Sequence, residues 1–175
     1  VVFVSNHQSY WDIPAFLSAI PGKQIGFIAK TQLTKMPAFG EWIIDIRGVY
    51  IQRDDARASL KAFEEAAAYL AQGFSMVIFP EGTRSRKSEI GEFKKGSIRL
   101  ATKAGVPVVP VSFDGTYRGF EETGVIRAAR VDFVIHPAIP TKDMSKKEIS
   151  ELSDVVEDTI RKGFAEILES RKGNS

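Results

Sequence analysis

The chain contains no cysteine and only two histidines, His7 and His136. Without thiols there is no disulfide scaffold, no thiolate metal site and no cysteine nucleophile. Two imidazoles are too few for a histidine-rich metal centre. Long apolar runs are also missing, and nothing approaches the ~20 apolar residues that cross a bilayer as a helix. Charge of one sign is not in excess either, since 24 Lys and Arg face 22 Asp and Glu for a net of +2. That balance excludes a nucleic-acid binder relying on global positive charge, but leaves room for a local basic cluster. What is present is 43% hydrophobic and 26% charged residues over 175 positions, which rules out a disordered chain. That length suits one core rather than two, so residues 1–175 are read as a single domain.

The chain opens directly on an apolar run, Val1-Val2-Phe3-Val4, which reads as a buried strand, and it does not start with Met, so an upstream segment is expected. A polar and aromatic turn, 6–12, leads to a short helix over Ile13–Ile20 closed by Pro21-Gly22. Strands are predicted over Gln24–Ala29 and Gly48–Gln52, with a broken helix over Leu33–Ile46 between them. In the helix predicted over Ala56–Gln72, Leu60, Phe63, Ala67 and Leu70 fall at helical spacing and Gly73 follows the end. Ser75–Phe79 shows no alternation, which suits a strand buried on both faces. A helix over Lys95–Lys103 precedes a strand over Val106–Phe113, whose Pro107 and Pro110 point to an edge position or a terminal kink rather than a central strand. Ala129–Ile135 alternates and reads as a late strand. Ser145 and Glu148 form a capping box for a last helix presenting Ile149, Leu152, Val156, Ile160, Phe164 and Ile167 on one face, with a frayed tail from Arg171. Alternating strands and helices predict an α/β fold, a mixed but mostly parallel sheet covered by helices.

Four clusters carry the interest, and three follow predicted strands, where α/β sheets tend to place their sites. In Asn6-His7-Gln8-Ser9-Tyr10-Trp11-Asp12, a turn that folds back would let Asp12 accept the Nδ1 proton of His7 and leave Nε2 as a base. The alternative is that Asp12 only caps the next helix. Ser9 makes a poor nucleophile, two residues from its own base and without a G-x-S-x-G elbow. In Gly48-Val49-Tyr50-Ile51-Gln52-Arg53, the arginine either grips an anion in the same cleft or pairs with Asp54 or Asp55. In Phe79-Pro80-Glu81-Gly82-Thr83-Arg84-Ser85, Gly82 permits a turn that exposes N–H groups, and Thr83 and Arg84 can then hold an anionic oxygen. Its alternative is a surface turn with an internal Glu81–Arg84 pair. The fourth, Val106-Pro107-Val108-Val109-Pro110-Val111, has no ionisable group and is an apolar wall or a core strand.

In this order the four clusters resemble the motifs of the glycerolipid acyltransferase family, and within it the bacterial 1-acyl-sn-glycerol-3-phosphate acyltransferases. Asn6, His7 and Asp12 meet N-H-x4-D, Gly48 to Arg53 meet the second motif, Phe79 to Ser85 meet F-P-E-G-T-R-S, and Val106 to Val111 meet the V-P-x-x-P-V type. The resemblance spans roughly Val1 to Pro137. It implies transfer of an acyl group from a thioester, on coenzyme A or acyl carrier protein, to the hydroxyl of 1-acylglycerol 3-phosphate, giving phosphatidic acid. Glycerol 3-phosphate and other lysophospholipids are alternative acceptors; a thioesterase or a non-catalytic lipid-binding module are alternatives to the reaction. The donor is a co-substrate, and neither a further cofactor nor a metal is expected. His7 and Asp12 would be catalytic. Arg84 first and Arg53 second would hold the acceptor phosphate, Lys30 would be a cleft cation, and Glu81 would orient the arginine or an acceptor hydroxyl. Gly82 and Thr83 would belong to the same anion site, with Pro110 in an apolar wall. The resemblance also implies a membrane surface as partner, at the cytoplasmic face of the cell membrane, and an N-terminal membrane-associated segment ahead of this chain. For Leu33–Ile46, core packing and contact with an acyl chain or lipid are both open, with Lys23 and Lys35 nearby as cations. His136, without an acidic partner at useful spacing, is read as structural.

Overall fold

The computed structural model describes residues 1–52, 55–94 and 96–173. Six strands form one sheet: β1 (Val2–Ser5), β2 (Ile25–Lys30), β3 (Val49–Ile51), β4 (Ser75–Ile78), β5 (Val108–Asp114) and β6 (Asp132–Ile135). Their order is β3-β2-β4-β1-β5-β6, parallel throughout except for β6, which runs antiparallel to β5. Helices α1 (Asp12–Ala19) and α2 (Phe39–Asp45) cover one face. Helices α3 (Ala56–Ala71), α4 (Arg99–Ala104) and α5 (Lys146–Lys172) cover the other. The α/β fold expected from the alternation is the fold observed.

Pleating sorts the strand residues between two cores. Val2, Val4, Met76, Ile78 and Val108 face α3, α4 and α5, whereas Phe3, Val77, Phe79, Val109, Val111 and Phe113 face α1 and α2. Both faces are covered, which is why these strands read as unbroken apolar runs. Phe16 of α1 is the hub of the second core. It meets Phe3, Phe27, Phe79, Phe113 and Phe133 edge-on at centroid distances of 5.0–6.2 Å. Such pairs contribute about 0.5–1.5 kcal/mol each beyond burial. An eight-residue helix has little stability of its own, so this anchorage is what fixes α1, and with it Asp12 one turn earlier.

Four expectations need correction. β5 is not an edge strand, since it lies between β1 and β6. Pro107 precedes it, and the Pro110 carbonyl accepts the His136 N–H at 3.0 Å on the β6 side. There the pairing shifts by one residue between Val111↔Ile135 and Val108↔Ile139, so the missing proline N–H falls on a bulge. In α3 the buried stripe is Ala62, Ala66 and Leu70, flanked by Phe63 and Ala67, while Leu60 is 50% exposed. Small residues lead because they let the helix lie close to the sheet. In α5 Ile149 is exposed, ahead of the stripe that starts at Leu152. Arg171 is not frayed. It ends α5 in ion pairs with Asp114 and Asp132 and donates to the carbonyls of Asp114 and Arg130. The capping box of Ser145 and Glu148 forms as expected.

Candidate active site

Five parallel strands deliver their carboxyl ends to one edge of the sheet, and the polar segments that follow β1, β2, β4 and β5 meet there. Asn6 ties the end of β1 to β5 through both backbone groups of Phe113, at 2.9 and 3.1 Å. Gln8 donates to Asp114 at 2.9 Å and accepts the Gly115 N–H at 3.0 Å. Between these two fully buried amides stands His7.

His7 Nδ1 lies 2.5 Å from Asp12 Oδ2. The carboxylate also accepts the backbone N–H of Gln8 at 2.8 Å and of Ser9 at 3.1 Å. Asp12 therefore closes the loop behind the histidine; it does not cap α1, whose N-terminus has no side-chain cap. As an acceptor it requires the proton on Nδ1, which fixes the tautomer. Nε2 has no bond among the described residues, and no buried side-chain nitrogen or oxygen among them lacks a partner, so solvent reaches Nε2. Exposure agrees, at 17% for the histidine side chain and 0% for the acid. The ring lies flat on Phe79, 4.1 Å between centroids and 11° between planes.

Glu81 does not pair with Arg84. Its Oε1 accepts the His7 N–H and its Oε2 the Gly91 N–H, both at 2.7 Å. Burial pushes its carboxyl up from the usual range, and the two backbone bonds pull the other way. With both oxygens engaged on the main chain it buttresses the histidine loop from behind and does not line the cleft. Arg84 is instead held by Glu121 at 3.0 Å, with its guanidinium 3.5 Å above the centre of the Tyr10 ring. Neither Glu121 nor Tyr10 is singled out by the sequence: Glu121 lies outside every motif and meets its partners across 37 to 112 residues, and Tyr10, though inside the first cluster, carries no charge that marks it as a platform for Arg84.

In front of His7 opens a cleft of about 360 Å³. Lys30, Gly82, Thr83, Arg84 and Arg86 line it on the polar side; Ile13, Phe27, Leu33, Ile51 and Phe79 are among its apolar walls. Gly82 turns at φ +68°, which a side chain rarely tolerates. Arg86 was not foreseen. The expected Arg53 lies outside the described residues. Pro110 does not line the cleft: it sits on β5, in a position that points toward α5 on the opposite face. The segment Leu33–Ile46 divides. Leu33 faces the cleft and Ile43 is core, while Phe39 and Trp42 line a second, apolar groove with Tyr10, Trp11, Pro14, Phe120 and Ile126. No helix among the described residues is long and apolar enough to cross a membrane.

Comparison with known proteins gives a consistent result. Residues 1–114 match the family described as Acyltransferase. The chain is 39% identical over 143 residues to the chloroplast 1-acyl-sn-glycerol-3-phosphate acyltransferase LPAT1 of Arabidopsis thaliana, covering 79% of this chain and 39% of that protein. It is 28% identical over 163 residues to the 1-acyl-sn-glycerol-3-phosphate acyltransferase of Borreliella burgdorferi, covering 93% and 65%. The crystal structure of the 1-acyl-sn-glycerophosphate acyltransferase PlsC from Thermotoga maritima superposes with a TM-score of 0.78 at 35% identity, covering 95% of this chain and 65% of that one. The chain thus spans from about two fifths to just under two thirds of these relatives.

Proposed function

The chain belongs to the Acyltransferase family, and from that premise we propose that it moves a fatty acyl group from a thioester to the free hydroxyl of 1-acylglycerol 3-phosphate, giving phosphatidic acid. The single observation that carries this reading is the His7–Asp12 pair facing a cleft whose polar side is cationic. A thioester is already activated, so the protein needs a base and a grip more than a nucleophile.

The acceptor hydroxyl gives its proton to His7 Nε2 as its oxygen attacks the thioester carbonyl. Asp12 keeps the ring in the tautomer that can accept it and balances the charge the ring acquires. The tetrahedral oxyanion collapses, the C–S bond breaks, and the departing sulfur takes the proton back from Nε2. Ester and thiol are the only products, and no further cofactor is consumed. Base catalysis of this kind is typically worth about 10²–10⁴-fold. Backbone N–H groups near Gly82 are suited to the oxyanion. The acceptor phosphate falls to Arg84, Lys30 and Thr83, with Arg53 as a further cation. The donor is acyl-CoA or acyl carrier protein. The enzyme works at a membrane surface, a reading supported by Trp11 and Phe120 at 41% exposure and Ile126 at 69% around the apolar groove; the cytoplasmic face follows from the family resemblance alone.

The test is thiol release by the full-length protein from acyl-CoA and from acyl carrier protein, with 1-acylglycerol 3-phosphate, glycerol 3-phosphate or no acceptor. Release that depends on 1-acylglycerol 3-phosphate and yields phosphatidic acid supports the proposal. Equal release without acceptor, with free fatty acid as product, replaces it with a thioesterase.

A further inference from the structure

We propose that Glu121 is a positioning residue that sets the phosphate-gripping arginine at a fixed distance from the catalytic base; the inference rests on the acyltransferase reading and deepens it. Glu121 lies beyond residues 1–114, the part matched to the family, and just after the short helical turn Thr116–Gly119. Its side chain is 4% exposed, yet it reaches two separate loops. Oε1 accepts Arg84 Nη1 at 3.0 Å and the Tyr10 N–H at 3.3 Å, and Oε2 accepts the Ser9 hydroxyl at 2.6 Å.

Ser9 is the joint in this arrangement. Its N–H donates to Asp12 while its hydroxyl donates to Glu121. A continuous set of bonds therefore runs from His7 through Asp12, Ser9 and Glu121 to Arg84. The guanidinium is bounded by the Tyr10 ring on one face and by the carboxylate at Nη1. The contact with Glu121 uses one nitrogen of the fork, and the residue still lines the cleft. A long, rotamer-rich side chain is thus ordered before the acceptor arrives, with donors left for a phosphate. Ordering one such side chain only on binding corresponds to roughly tenfold in affinity.

The experiment is steady-state kinetics of the full-length protein and its Glu121→Gln, Glu121→Asp and Glu121→Ala variants. Donor and acceptor are varied separately, with 1-acylglycerol 3-phosphate and a phosphate-free monoacylglycerol as acceptors. Thermal melts run alongside, to separate kinetic effects from loss of fold. We expect Glu121→Gln to raise KM for the phosphate-bearing acceptor about tenfold, with kcat and the donor KM within about twofold. Glu121→Ala raises the acceptor KM further, Glu121→Asp restores part of the loss, and kcat/KM for monoacylglycerol does not change. An unchanged acceptor KM, or parallel losses for both acceptors and the donor, overturns the positioning role. A wild-type protein that turns over neither acceptor refutes the acyltransferase reading itself, and this inference with it.

Discussion

The chain's two histidines occupy opposite faces of one sheet and show what makes an imidazole chemically available. His7 has a buried carboxylate on Nδ1 and a cleft in front of Nε2. His136, just past β6, has a hydroxyl and a helix. Its Nε2 lies 2.8 Å from Ser112 Oγ, and that hydroxyl spends its one proton on the Ile160 carbonyl of α5, also at 2.8 Å. The serine can then only accept, so His136 donates from Nε2, the atom that His7 keeps open. Burial pushes the His136 ring below its ordinary value, against a smaller opposing pull from Glu166. Residue type is the same in both places; the acid behind and the space in front differ.

The sharpest way to break this contrast is to remove each ring. His7→Ala is expected to lower acceptor-dependent thiol release by about 10²–10⁴-fold, with the fold retained at the assay temperature, because the Gln8 and Ser9 N–H groups still serve the buried Asp12 carboxylate. His136→Ala is expected to keep turnover within a few-fold and to lower the melting temperature instead. Comparable losses of turnover in both variants, measured below their melting transitions, would remove the distinction between a working and a structural histidine.

Much of this contrast was legible in the sequence. The spacing of His7 and Asp12 anticipated their bond, and the missing acid near His136 anticipated that its ring bonds to no carboxylate among the described residues. Both are local facts, carried within a few residues. The apolar runs of β1 and β4 and the capping box of α5 are also local, and they came through in the fold. What stayed hidden depends on distant partners. Pro110 is tolerated inside the sheet because the strand opposite it bulges over residues 135–139, where the regular ladder that would need its N–H is interrupted. Glu81 serves Gly91 and the His7 backbone, whereas the neighbouring Arg84 serves Glu121. In so short a motif adjacency suggests an ion pair, but the turn after β4 sends the Glu81 carboxylate to the His7 and Gly91 backbone and the Arg84 guanidinium to Glu121. Arg171 looked like the start of a tail until Asp114 and Asp132 came within reach of the last turn of α5.

A smaller effect is expected on the helical side of the comparison. Gly163 lies where α5 crosses His136, and a Cβ there would come within 2.4 Å of His136 Cε1 and 2.7 Å of Ser112 Oγ. Both neighbours are held in place by hydrogen bonds, so the backbone has to shift. Gly163→Ala should cost about 1–3 kcal/mol by overpacking, or roughly 2–12 °C in melting temperature for a domain of this size. Activity at 25 °C should remain, since nothing on the cleft side moves. A variant as stable as wild type would mean that α5 does not press on His136 as described.

The smallest expected effect is a pH dependence of stability that belongs to His136. Unfolded, a histidine takes its proton near 6.5; folded, this one takes it at lower pH because burial disfavours the charged ring. Well above 6.5 neither state is protonated and the ring contributes nothing. As pH falls through 6.5 the unfolded chain gains the proton first, so the folded state loses stability until pH passes below the folded value. Glu81 acts in the opposite sense. Its raised folded value means that the native state binds a proton before the unfolded chain does, and its contribution grows as pH falls toward 4.5. The two are separated by comparing wild type with His136→Gln, whose amide can still donate to Ser112 but does not titrate. Urea midpoints at pH 7.5 and 5.5 should differ more in wild type than in the variant. An identical decline in both proteins would assign the acid sensitivity to other groups and leave burial without a measurable consequence at His136.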